Sequence, residues 1–210
     1  MGAIAIVFDL DRALIDSRAA WCYALEESML ATCGNRISAR DLYAEYGTRP
    51  IGDALSVLVP DHSRRSQCEA LFTSMSQRSA MKRLLVFDGI GMTLDELRGA
   101  RVELGAISRL PHELARKQID STGIDRFLSV LEATHENQPW EPLRLIERSA
   151  TFLEVRLSAI RYVGAEAEVR TLQACGVDAW CAGWAVQNST GGPRALGRPR
   201  DLLAAAASRR

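Results

Sequence analysis

From Leu84 onward, short apolar runs alternate with amphipathic stretches, and no other feature constrains the fold of this chain so strongly. Strands that alternate with helices build a parallel sheet with helices on both of its faces. The spacing predicts helices over 93–98, 111–121, 142–152, 166–175 and 202–207, and strands over 102–107, 127–131, 159–163 and 177–182. Residues 187–200, rich in Gly, Pro and Arg, read as loop.

The N-terminus supplies one more strand of the same kind. Ile4-Ala5-Ile6-Val7-Phe8 is too short for a helix and reads as a strand buried on both faces. Asp9 and Asp11 follow where that strand should end, and if strand geometry persists both side chains leave the same face. Ligands of open α/β sheets bind beyond the carboxyl ends of the strands, so this pair is the first candidate site. Between Ser17 and Arg83 the apolar residues recur at helical spacing, as in Trp21, Ala24, Leu25 and Met29, with turn residues at Gly34-Asn35, Gly47 to Pro50 and Pro60-Asp61. The expected organisation is an α/β core of residues 1–16 and 84–210, with a small all-helical cap of residues 17–83 inserted after the first strand.

Composition enters through what it excludes. The formal net charge is zero, so no global field draws the chain to nucleic acid or an acidic membrane. The apolar runs fall short of the roughly 18 residues a membrane span needs. Five cysteines form no C-x-x-C pair and are odd in number, which fits a reducing compartment, and a cytoplasmic protein is expected. The lysines are only Lys82 and Lys117, so a role that needs an amine has few candidates.

Five ordered stretches carry a family resemblance: FDLDRALIDS at 8–17, GAISR at 105–109, NQPWEP at 137–142, YVGAEAEVRTLQACGV at 162–177 and Ala182-Gly183-Trp184. Together they resemble the haloacid dehalogenase (HAD) superfamily, in its phosphoglycolate-phosphatase-like branch with a helical cap. The resemblance implies a Rossmann-like HAD core, with Asp9 attacking phosphorus, Asp11 as general acid and base, and Ser108 hydrogen-bonding the phosphoryl group. It also implies a Mg²⁺ and an amine that screen the approach of two anions. Tyr46 to Pro50 resembles the cap turn that faces the substrate, which would set Arg49 against an anionic group.

Several positions depart from the family pattern. Gln138 stands where the third motif has lysine, and Ala165 where the fourth has its first aspartate. The acid left to join Asp9 as a metal ligand is at best Glu168, one residue early. Arg12 and Ala13 replace the usual Gly and Thr, and Arg12 could supply the missing positive charge. Single electrostatic groups in such sites are worth about 2.7 to 4 kcal/mol. The implied protein is therefore a divergent hydrolase of a small anionic, phosphorylated metabolite, with Mg²⁺ dependence weak or absent. The alternative is a catalytically inactive relative that binds a ligand or a partner protein. Read without the resemblance, Asp9 and Asp11 could bond backbone N–H groups, Ser108 could cap the following helix, and Arg12 and Arg49 could be solvated surface residues.

Overall fold

The computed structural model describes residues 5–47, 49–134, 139–185 and 194–207. The chain divides into two compact units, one running to Asp16 and resuming at Val86, the other Ser17–Leu85.

The first unit is an α/β core around a six-stranded parallel sheet. Its strands are β1 (Ala5–Asp9), β2 (Glu103–Ser108), β3 (Val130–Ala133), β4 (Ile160–Gly164), β5 (Asp178–Ala182) and β6 (Ala195–Leu196). They lie side by side in the order 3-2-1-4-5-6, so the order reverses beside β1, where α/β sheets open their ligand crevice. Every residue of β1 is buried, as its unbroken apolar run demands of a strand with neighbours on both sides. Val7 lies opposite Gly105 of β2 and Tyr162 of β4.

Among the described residues the second unit contains four α-helices, α1 (Arg18–Cys33), α2 (Arg40–Tyr46), α3 (Ile51–Leu58) and α4 (His62–Ser76), and a short 3-10 helix, Ala80–Arg83. Its core joins Ala24, Leu25 and Met29 of α1 to Leu55, Cys68 and Phe72. Trp21 meets Tyr43 and Phe72 edge-on, with ring centroids 5.5 and 6.1 Å away, and Tyr23 is stacked by Arg83. Both aromatics pack within the helical unit.

Back in the core, α5 (Ile90–Gly99), α6 (His112–Thr122), α7 (Pro142–Phe152), α8 (Glu166–Ala174) and α9 (Asp201–Ala207) complete the alternation. One face of the sheet, with Val7, Ile107, Tyr162 and Ala179, packs on Leu145, Ile146 and Ala150 of α7 and Val169 and Leu172 of α8. Arg161, the next residue along β4, points to the opposite face, where α5 and α9 pack together. Its Nε donates to Asp178 Oδ2 at 3.1 Å, and another guanidinium N–H donates to the Ala205 carbonyl of α9. The other Asp178 oxygen takes the Trp180 indole N–H at 3.1 Å and Arg194.

Two expectations shift. The strand predicted over 127–131 starts later, at Val130, because Asp125–Phe127 first forms a tight helical turn. Within the predicted loop, Ala195-Leu196 pairs with Cys181-Ala182 as the sixth strand; two residues are too few to show a period. Among the described residues no helix is long and apolar enough to cross a membrane.

Candidate active site

The site is built at the carboxyl end of β1. Asp9 is its last residue, and the chain then makes one wide helical turn over Leu10–Leu14, closed by the Ile15 N–H donating to the Leu10 carbonyl. Such i to i+5 turns are rare and cluster at functional sites. Asp9 Oδ1 caps the turn, accepting the backbone N–H groups of Asp11 at 3.1 Å and Arg12 at 3.2 Å. At its other end the Trp184 indole N–H donates to the Ala13 carbonyl at 3.0 Å. The shared strand face expected for Asp9 and Asp11 is therefore corrected. The strand stops at Asp9, and it is the turn that carries Asp11.

Ser108 ends β2, one residue past the partner of Asp9 in the register. Its hydroxyl donates to Asp11 Oδ2 at 3.3 Å and accepts the Leu110 N–H at 3.1 Å. The Thr134 N–H and hydroxyl both donate to the Ser108 carbonyl, at 3.1 and 3.2 Å. The helix-cap alternative for Ser108 fails, because α6 begins at His112, after Pro111, without a side-chain cap. Asp9, Asp11 and Ser108 are thus brought together from chain segments far apart.

A fourth member was given no role in the motif reading. Tyr162 of β4 is fully buried, and its hydroxyl donates to Asp9 Oδ2 at 3.4 Å. The ring leans along the strand over Gly164, where an added Cβ would lie 2.2 Å from the tyrosine oxygen. Gly164 is the clearance that lets Tyr162 reach Asp9. A Tyr followed two residues later by Gly within one short strand was the available signal, since a buried phenol seeks a partner and a strand glycine marks a close approach.

Burial dominates the electrostatics. Asp9 is wholly inaccessible, and burial, followed by the negative charge of Asp11, pushes its pKa up to about 7. Arg12 and Arg109 pull the other way. Asp11 is also raised by burial, against the Ser108 hydrogen bond and the same two arginines. The Tyr162 phenol is pushed well above its ordinary value by burial and by Asp9.

The pinned cation beside these acids is Arg109, which ends the GAISR stretch and was given no role there. Its guanidinium pairs with Glu168 and lies over the Trp140 ring, 4.3 Å from the centroid. Arg109 Nε, Glu168 Oε2 and Trp140 Nε1 are all buried with no hydrogen-bond partner among the described residues. Arg12 is half-buried; its backbone N–H donates to Asp9, and its guanidinium makes no hydrogen bond or ion pair with a side chain among the described residues, so the surface ion pair is not formed. Arg49 belongs to the helical unit, where it is exposed and 5.8 Å from the Tyr46 ring centroid. Gln138, with His135 and Glu136, lies outside the described residues.

A magnesium ion wants several oxygen ligands in a regular shell. Here Ala165 offers no side-chain oxygen, Glu168 is committed to Arg109, and Asp9 is engaged on both oxygens. Among the described residues no cluster of three His, Cys, Asp or Glu side chains could hold a metal ion. The described residues do not fit a Mg²⁺ shell: of the pair expected to hold it, Glu168 already gives one oxygen, Oε1, to the Arg109 guanidinium.

Comparison with known proteins agrees with this architecture. The family model for haloacid dehalogenase-like hydrolases matches residues 6–168. No curated protein matches the chain. Among solved structures, a HAD-superfamily hydrolase of Geobacter sulfurreducens superposes with a TM-score of 0.80 at 15% identity, covering 98% of each chain. A protein assigned as a phosphoglycolate phosphatase from Lactobacillus plantarum gives 0.75 at 19%, covering 97% of this chain and 99% of its own. Protein tyrosine kinase A of Mycobacterium tuberculosis gives 0.78 at 20%, covering 99% of each. At these identities the likeness is one of fold.

Proposed function

Given that the chain belongs to the haloacid dehalogenase-like hydrolases, we propose that it hydrolyses a phosphate ester of a small metabolite, using Asp9 as nucleophile and Asp11 as general acid and base. The observation that carries this reading is the meeting of Asp9, Asp11 and Ser108 beyond the carboxyl ends of β1 and β2, beside the reversal of strand order. A carboxylate oxygen of Asp9 bonds to phosphorus as the ester P–O bond breaks, and Asp11 gives its proton to the leaving oxygen. Water then attacks phosphorus and returns a proton to Asp11, and Asp9 leaves as the carboxylate. The sum is ester plus water to alcohol plus phosphate. The Ser108 hydroxyl and Arg12 are the donors to the phosphoryl oxygens, Arg49 reads the substrate from the cap, and dependence on Mg²⁺ is weak or absent.

One observation favours a second reading. Asp9 is closed from solvent and keeps its proton up to about pH 7, the reverse of what a nucleophile needs, which suits a non-catalytic module that binds a ligand or a partner protein. Assays against sugar phosphates, phosphoglycolate and nucleotides, with and without Mg²⁺, separate the two. Under the first reading at least one compound turns over, the rate climbs as pH rises through about 7, and Asp9→Asn abolishes it. Turnover that survives Asp9→Asn removes the nucleophile, and a wild type inert to the whole panel leaves the second reading.

A further inference from the structure

We infer that Arg109 replaces the divalent cation in this chain: its guanidinium, anchored by Glu168 and stacked on Trp140, is a built oxyanion site for a phosphoryl or inorganic phosphate group. The inference rests on the phosphate-ester reading above and deepens it.

Position comes first. Arg109 directly follows Ser108 at the end of β2, and its positive charge acts on both Asp9 and Asp11, so it belongs to the same crevice. Fixation comes second. A guanidinium is planar, always charged and less strongly hydrated than an ammonium, so a face-on aromatic ring and an edge-on carboxylate together hold its plane and its direction. Trp140 and Glu168 supply that pair of restraints from two separate segments, and Glu168 is only 9% exposed. Unused capacity comes third. Buried polar groups in folded proteins are nearly always paired, yet Arg109 Nε, an N–H donor, stands buried without a partner among the described residues. A guanidinium already fixed by one carboxylate, with a donor to spare, is suited to a second oxyanion, which it grips through its fork of N–H groups.

The substitutions at the other end of the site follow. With an arginine committed to Glu168, a carboxylate at position 165 would have no ion to hold, and this chain has alanine there. Arg12 and Arg109 together carry the formal charge of one divalent cation, and both act on the acid pair.

The test measures inorganic phosphate binding to the full chain by titration calorimetry, first with EDTA and then with MgCl₂. Wild type is expected to bind millimolar phosphate with an affinity that EDTA and Mg²⁺ leave within about twofold, since no step needs the metal. Arg109→Ala should weaken binding roughly tenfold to a hundredfold, the worth of one charge-assisted hydrogen bond, and Arg109→Lys should recover only part of it. Glu168→Gln acts through Arg109, so it should weaken phosphate in wild type but add nothing to Arg109→Ala. Three results overturn the inference: no phosphate binding in EDTA, tenfold tightening of wild type by Mg²⁺, or wild-type affinity in both Arg109 variants. The Mg²⁺ comparison needs no variant to fold. Phosphate held through Arg109 without turnover of any ester defeats the hydrolase reading and leaves this one standing; turnover that requires Mg²⁺ does the opposite.

Discussion

Two arginine–carboxylate pairs, Arg161–Asp178 and Arg109–Glu168, are set into this core with opposite logic. Arg161 and Asp178 sit side by side on β4 and β5, and the pair is saturated: Arg161 also reaches the Ala205 carbonyl, and Asp178 also takes Trp180 and Arg194. Arg109 and Glu168 come from a strand end and a helix, and each keeps a buried polar atom without a partner. Both pairs join a guanidinium to a carboxylate, so the difference lies in what surrounds them. Where a charge pair is structural, the fold spends its hydrogen bonds completely. At the crevice, groups are held ready and incompletely paired, and the acids beside them are raised by burial.

Removing one partner from each pair should expose that contrast most strongly. Arg161→Leu takes the buried cation from Asp178, which keeps Arg194 and Trp180, and removes the donor to the Ala205 carbonyl; it should destabilise the core by about 2 to 4 kcal/mol in urea unfolding, with phosphate affinity of the folded protein unchanged. Arg109→Ala should lose only about 1 kcal/mol, because its side chain is 32% exposed and water reaches the gap. Equal losses would break the comparison.

The acids sharpen it through pH. Asp9 has a folded pKa raised from 3.8 to about 7, so between those values the native state holds more protons than the unfolded one, and stability falls as pH rises. The loss is complete above about pH 7. Asp9→Asn cannot ionise, so it should equal wild type near pH 4 and exceed it by on the order of 3 kcal/mol at pH 8, by denaturant titration at both values. A carboxylate substitution that stabilises is the opposite of what Asp178→Asn should do. A variant no more stable at pH 8 than wild type would show that Asp9 is not held at a cost.

A smaller effect than that of Asp9→Asn belongs to the clearance under Tyr162. Gly164→Ala places a Cβ against the tyrosine oxygen and should destabilise by about 1 to 3 kcal/mol, since overpacking forces side chains off their rotamers. It should also displace the phenol from Asp9, read as a fall in the Asp9 pKa by carboxyl-labelled NMR, as water reaches the acid. An unchanged pKa would separate the burial of Asp9 from Tyr162.

How much of this was legible beforehand follows the range of each interaction. The βα alternation, the buried first strand and the helical stretch after it are written in local periodicity, which needs no knowledge of neighbours. Asp9, Asp11 and Ser108 could be picked out because each stands at the end of an apolar run. The wide turn after Asp9 could not, because nothing in Leu10–Leu14 alone sets it apart from a continued strand or an ordinary helix turn.

By itself, then, the sequence determined the elements, their order and the acids at the strand ends. Tertiary structure alone decided which groups surround those acids. Tyr162 meets Asp9 across 153 residues and Arg109 meets Glu168 across 59. Contacts at that range depend on strand order, register and the lean of a ring over a glycine. Those are properties of packed layers, and a sequence period does not carry them. Glu168 reads in the chain as a displaced metal ligand, and in the fold it is the anchor of an arginine.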